Sequence, residues 1–123
     1  MAKNPIEECE KLVADLKRLM VNSRLVAFTD LGQGNPSLTR DILFWQNFNP
    51  TYLLTIDYSR YENTGKFRTL VTKVRGTATG GLVHGHPTYI KSASYRKKKD
   101  FVGVFENWLK KEIKPRYTPT LKL

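Results

Sequence analysis

The densest cluster of chemically similar side chains in the sequence is a run of cations. Residues 96–99 read Arg-Lys-Lys-Lys, with Lys91 upstream and Tyr95 adjacent. At the start of a helix, such cations add to the backbone N–H groups and the helix dipole, and phosphate suits that combination. Positive charge there otherwise costs roughly several tenths of a kcal/mol. We therefore interpret the run as a polyanion site; the alternative is a solvated loop that keeps the protein soluble.

A second set of cations is spaced along a β-rich stretch, where Lys66, Arg68, Lys73 and Arg75 alternate with other residues and Arg60 lies opposite. Cations spaced in this way can follow a phosphate backbone. Aromatic rings on the same strands could stack on bases if they are exposed, and core packing is the alternative for each ring. These aromatic residues are Tyr52, Tyr58, Tyr61 and Phe67.

Histidine is concentrated at His84-Gly85-His86. Two histidines at this spacing can bind one ion from a strand, but structural zinc needs four ligands and no cysteine or carboxylate cluster is nearby. We predict no metal and no cofactor. The pair resembles the His-hydrophobic-His motif of rolling-circle replication endonucleases, with glycine at the middle position. That resemblance implies a metal-dependent nuclease with Tyr89 or Tyr95 as nucleophile; the alternative is a turn before Pro87.

No other pattern indicates catalysis. The acidic residues do not pair in a way that suits general acid–base chemistry. Ser92 and Ser94 lack the surroundings of a nucleophile elbow, and Gly76–Gly81 lacks the spacing and the lysine of a P-loop. We therefore favour a protein that is not an enzyme.

The distribution of charge along the chain supports a polyanionic partner. The formal net charge is +10, from 21 basic and 11 acidic residues. Residues 1–50 are neutral overall, residues 51–85 carry +3, and residues 86–123 carry +7. Solubility does not require such a division, whereas binding to nucleic acid explains it.

Composition also bears on the compartment. The single cysteine, Cys9, excludes an intrachain disulfide, and its place in an amphipathic pattern predicts a small buried side chain. No stretch approaches the roughly 18 apolar residues of a membrane span, and the first residues resemble neither a signal nor a transit peptide. We predict an intracellular protein, cytoplasmic or nuclear, with no membrane partner.

An amphipathic helix is predicted at the beginning of the chain, over Pro5–Val21. Asn4 is a favourable N-cap, and proline is tolerated in the first turn. Apolar residues then recur at helical spacing and form one stripe. The stripe consists of Ile6, Cys9, Leu12, Val13, Leu16, Leu19 and Met20.

The middle of the chain is rich in residues that favour strands. Leu25–Thr29 predicts a short strand, and Thr51–Tyr61 with Lys66–Arg75 predicts a hairpin. Residues 37–48 fit either a helical turn or a buried strand, because periodicity is not decisive over so few residues. Two further short strands, Leu82–Val83 and Tyr89–Tyr95, are expected on either side of a break at Pro87.

A second amphipathic helix is predicted near the end, with Asp100 as N-cap and a stop at Pro115. Its expected buried face is Phe101, Val104, Phe105, Trp108, Leu109 and Ile113. The fold class is therefore α+β, with an antiparallel sheet of three to five strands flanked by N- and C-terminal amphipathic helices. We expect one domain over residues 1–115 and an extended tail over residues 116–123.

The leading hypothesis is a non-enzymatic nucleic-acid-binding domain that uses the central hairpin and residues 91–99. One alternative is a structural or assembly subunit, viral or ribonucleoprotein, that acts as a homo-oligomer through the apolar residues 41–48 and the tail. A second is a small metal-dependent nuclease using His84 and His86. The predicted nucleic-acid-binding residues are Lys66, Arg68, Lys73, Arg75, Lys91, Tyr95, Arg96, Lys97, Lys98 and Lys99.

Overall fold

The first helix, α1, runs from Pro5 to Asn22 and begins as predicted. The Ile6 amide donates to Oδ1 of Asn4 at 2.9 Å, which satisfies one of the N–H groups that a helix start leaves unpaired. The apolar stripe faces the interior, and the Cys9 thiol is free and fully buried within it. The structure is a computed structural model, and it describes residues 4–25, 27–30, 38–46, 51–76 and 82–113.

Within the described ranges, five strands form one antiparallel sheet in which each strand pairs with the next along the chain. The predicted α+β class, with a sheet between two terminal helices, is confirmed. The ambiguous residues 37–48 contain a strand, because its backbone pairs on both sides. The strands are β1 (Ala27–Asp30), β2 (Thr39–Trp45), β3 (Thr51–Asp57), β4 (Phe67–Gly76) and β5 (Leu82–Tyr95).

One face of the sheet carries the large apolar side chains that pack under the helices. Phe44 lies opposite Tyr52, and Leu54 lies between Ile42 and Val71, so the register aligns these residues across three strands. All five are 1% exposed or less. Tyr58 and Phe67 are also buried in this core, so three of the four aromatic residues considered for base stacking are packing residues.

The predicted break at Pro87 is wrong, because β5 continues through this proline from Leu82 to Tyr95. The pairing with β4 shifts register there: Thr72 pairs with Thr88, whereas Lys73 pairs with Gly85. Residues 86 and 87 are therefore extra residues in a bulge. Since β5 is an edge strand and a bulge removes ladder hydrogen bonds, proline is tolerated at this position.

The last helix, α3, spans Lys98–Glu112, so it starts two residues before the predicted N-cap. Lys97 occupies the N-cap position without a side-chain hydrogen bond, and Asp100 lies in the first turn instead. Phe101, Phe105 and Leu109 are buried as expected. Val104 is 38% exposed, which corrects its assignment to the buried face. Neither this helix nor any other in the described ranges is long and apolar enough to cross a membrane.

Candidate functional site

Two basic segments meet at one end of the sheet. The first, residues 58–66, connects β3 to β4 and includes the short helix α2 (Tyr61–Thr64). The second, residues 96–99, comprises the connection from β5 to α3 and the first two residues of α3. Phe67 pairs with Tyr95, and Arg68 pairs with Ser94. Because β4 begins where β5 ends, this antiparallel register brings the two segments side by side.

A chain of aromatic rings anchors both segments to the core. Tyr58 stacks on Phe67 with ring centroids 4.7 Å apart. Phe67 contacts Tyr95 at 5.8 Å, and Tyr95 contacts Phe101 at 5.3 Å. Tyr58 and Phe67 stand at the two ends of the first segment, and Tyr95 and Phe101 stand on either side of the second, so each segment is held at both of its ends. Tyr95, which was predicted as a binding residue, is half-buried among these aromatic rings.

The Tyr58 hydroxyl is buried and has no hydrogen-bond partner among the described residues. Burial, with smaller contributions from Cys9, Tyr61 and Glu8, raises the pKa of this phenol far above its usual range. A hydroxyl that loses water and gains no partner costs about 1–3 kcal/mol.

Tyr58→Phe is therefore expected to raise the free energy of unfolding by about 1 kcal/mol, because the ring stays and the unpaired hydroxyl is removed. Urea denaturation followed by circular dichroism measures this change. Tyr61→Phe is the matched control and should leave stability unchanged, since the Tyr61 hydroxyl is not among the buried unpaired groups. A loss of stability in Tyr58→Phe would contradict the assignment.

The connection from α2 to β4 is organised by Thr64. Its hydroxyl donates to the Arg60 carbonyl at 2.8 Å and accepts from the Lys66 amide at 3.1 Å. Gly65 then adopts φ 71°, a left-handed conformation that glycine tolerates best. The Nη1 atom of Arg96 lies 3.7 Å from the point where a Cβ on Gly65 would stand. The second basic segment thus lies against the turn of the first.

The two segments and the adjoining strands form a cleft of about 300 Å³, which we term the basic cleft. Among the described residues that line it, four are cations and two bear hydroxyl groups, and none is a carboxylate or an apolar residue. All six are exposed. The lining residues are Arg60, Thr64, Lys66, Arg68, Ser94 and Arg96.

A second cleft of about 360 Å³ lies between the start of α3 and α1, and we term it the helix cleft. Arg96 lines both clefts and so joins them. The carboxylates here are engaged: Glu8 accepts from Lys98 Nζ at 2.5 Å, and Asp15 pairs with Arg18 at 3.1 Å. The lining residues are Glu8, Asp15, Tyr61, Arg96, Lys97, Lys98, Lys99 and Val102.

Lys98 therefore differs from its neighbours in the basic run. Its side chain is only 26% exposed, and its partner Glu8 is buried. The other cations around the two clefts form no ion pair with a carboxylate anywhere in the described part of the chain. We term this set of unpaired cations the basic surface. It consists of Arg60, Lys66, Arg68, Arg96, Lys97 and Lys99.

Three predicted binding residues lie elsewhere. Lys73 is five residues along β4 from Arg68, which is about 16 Å at the rise of an extended strand. Its register partner is Tyr52, near the opposite end of the sheet. Arg75 follows two residues later, with its side chain outside the described part. Lys91 is exposed on the edge strand β5 and lines neither cleft.

The histidine pair lies in β5, where His84 pairs with Val74; both imidazoles are outside the described residues. The Tyr89 ring packs against Tyr52 and Trp108, with centroids 5.2 and 5.8 Å apart. Among side chains that the structure describes, no three His, Cys, Asp or Glu gather closely enough to hold a metal ion.

No sequence pattern indicated that Thr64 and Ser94 line the basic cleft. The position of each residue in the cleft depends on tertiary structure. Thr64 is placed there by the turn that its hydroxyl stabilises, and Ser94 by its strand pairing with Arg68. Comparisons of the chain with protein-family models, with curated proteins and with solved structures find no match. The geometry and charge of the two clefts are therefore the basis for a functional proposal.

Proposed function

We propose that this domain binds nucleic acid through the basic surface, without catalysing a reaction. One observation carries the proposal: six cations, five from the two basic segments and Arg68 from the start of β4, converge at one end of the sheet, and none of them forms an ion pair with a described carboxylate. Asp57 lies opposite Arg68 in the strand register and accepts from the Ser59 amide. Gathering like charges costs free energy in the unbound protein. A partner with many phosphates offsets that cost and releases its own counterions on binding.

The start of α3 adds to this argument. Lys97 is the N-cap, and Lys98 and Lys99 are the first two helical residues, without a side-chain cap. The backbone N–H groups at a helix start and the positive end of the helix dipole add to the positive charge of Lys97 and Lys99 at this position. An anion at this position is therefore favoured by side chains and backbone together.

The assembly-subunit alternative loses one of its two supporting features. The apolar residues 41–48 include Ile42 and Phe44, which are fully buried in this domain's own core and are not a free docking segment. The other feature, the tail over residues 116–123, lies outside the described residues. A homo-oligomer remains a prediction, and light scattering over a range of protein concentrations tests it.

Binding should be strongly dependent on salt. If six phosphates are neutralised, a plot of log K against log salt concentration should have a slope of about −5 for duplex DNA and about −4 for a single strand. Fluorescence anisotropy with labelled DNA and RNA, single- and double-stranded, measures both the affinity and the slope. Absence of binding to all four probes at low salt would overturn the proposal.

A further inference from the structure

The basic cleft differs from the rest of the basic surface in the kind of group it can bind. It has three guanidinium groups, one ammonium group and the hydroxyls of Thr64 and Ser94. No aromatic or apolar residue is among the described residues that line it, so only the guanidinium planes could stack on a base. Its charged groups donate hydrogen bonds and cannot accept them. Such a lining suits oxygen-rich anions.

The number of donors indicates which anion. A phosphodiester within a strand carries one negative charge, whereas a terminal phosphate monoester carries about −1.5 to −2 near neutral pH and has three acceptor oxygens. Guanidinium groups pair with such oxygens in bidentate fashion. Four cations around one cleft are therefore matched better by a monoester than by an internal linkage.

The cleft is also held in shape before any ligand arrives. Thr64 fixes the backbone of Arg60 relative to that of Lys66 through its two hydrogen bonds, and the Arg68–Ser94 pairing fixes the backbone on the strand side. Arg96 rests against Gly65. A backbone that is already in place need not be ordered on binding, which lowers the free-energy cost of recognising a small group.

We infer that the basic cleft binds the terminal phosphate monoester of a nucleic-acid strand, so that this protein recognises strand ends. This inference rests on the proposed function, since the helix cleft would hold the adjoining strand. Lys97 and Lys99 line only that second cleft, so their contribution should not depend on a terminal phosphate.

The test compares short single-stranded oligonucleotides of one sequence with a 5′-phosphate, a 3′-phosphate or hydroxyls at both ends, by fluorescence anisotropy with the full chain. One phosphorylated form should bind about tenfold more tightly than the hydroxyl form, since a charge-assisted contact is added. Inorganic phosphate, compared with chloride at equal ionic strength, should abolish the difference.

Two variants that each remove one positive charge locate the site. Arg68→Gln should abolish the preference for the phosphorylated strand, whereas Lys99→Gln should weaken all three oligonucleotides equally and keep the preference. Equal binding of the three oligonucleotides by the unmodified protein would overturn the inference and leave the proposed function standing. No binding to any of them would overturn both. A phosphopeptide that binds as tightly as the phosphorylated oligonucleotide would overturn the assignment to strand ends.

Discussion

Replacing Arg68 and Arg96 together by glutamine is expected to lower the affinity for single-stranded nucleic acid about 100-fold at low salt. Each arginine is expected to contribute about 1.4 kcal/mol, the low end of the range for a charged hydrogen bond. Arg96 lines both clefts and Arg68 lines the basic cleft, so the double substitution removes charge from both clefts. The slope of log K against log salt should become shallower by about 1.4. Anisotropy titrations at several salt concentrations measure both effects.

The matched control is the double variant Lys110→Gln and Lys111→Gln. These lysines are exposed in the last turn of α3, and their removal changes the net charge by the same amount. We expect this variant to bind within about threefold of the unmodified protein, since distant exposed charges are largely screened. Equal losses in the two double variants would show that affinity follows net charge and not the basic surface.

Lys98→Ala is expected to lower the free energy of unfolding by about 2–3 kcal/mol, because Glu8 would lose its closest cationic partner in a buried position. Glu8 is 6% exposed, and Lys11 lies farther away, with its Nζ 3.8 Å from the other carboxylate oxygen. Urea denaturation measures the change. The large effect would show that one lysine of the basic run stabilises the fold.

Lys97→Ala and Lys99→Ala are the controls for this prediction. Both side chains are exposed and unpaired in the described structure, so each substitution should change stability by less than about 0.5 kcal/mol while weakening nucleic-acid binding. The double variant Glu8→Gln with Lys98→Met should recover most of the lost stability, since no buried charge is left without a partner. A Lys98→Ala variant as stable as its neighbours would refute the role of this ion pair.

Local patterns were sufficient to predict most of the fold. The Asn4 cap, the stripe of α1 and the β-rich stretches around residues 51–75 each carry their own signal, and the structure confirms them, except that the strand predicted to reach Tyr61 ends at Asp57 and Tyr61 begins α2. The strand break predicted at Pro87 was wrong because a strand tolerates proline at an edge position and in a bulge. Both features arise from strand pairing, which the local sequence does not show. The prediction of Asp100 as N-cap was wrong because acidic residues are favoured in the first turn of a helix as well as at its N-cap.

The site was harder to predict than the fold. The sequence places Lys66 and Arg68 in a hairpin and Arg96 beside a helix, but it does not show that they line one cleft. That convergence depends on the register that pairs Phe67 with Tyr95. The alternation of residues along β4 suggested a line of cations. Lys73 nevertheless lies near the far end of β4, because spacing along one strand does not determine which other segments lie close to it.

The ion pair between Glu8 and Lys98 joins residues 90 positions apart, whereas each of the described strands β1 to β5 pairs with its neighbours in sequence. During synthesis the hairpins can therefore form one after another as the chain emerges. The face beneath the helices has no complete cover until α3 is made, because Phe101 and Phe105 are part of that core. Nascent chains halted before residue 98 should therefore expose apolar surface and bind chaperones that recognise apolar segments. The chaperones should dissociate once α3 is complete and packed.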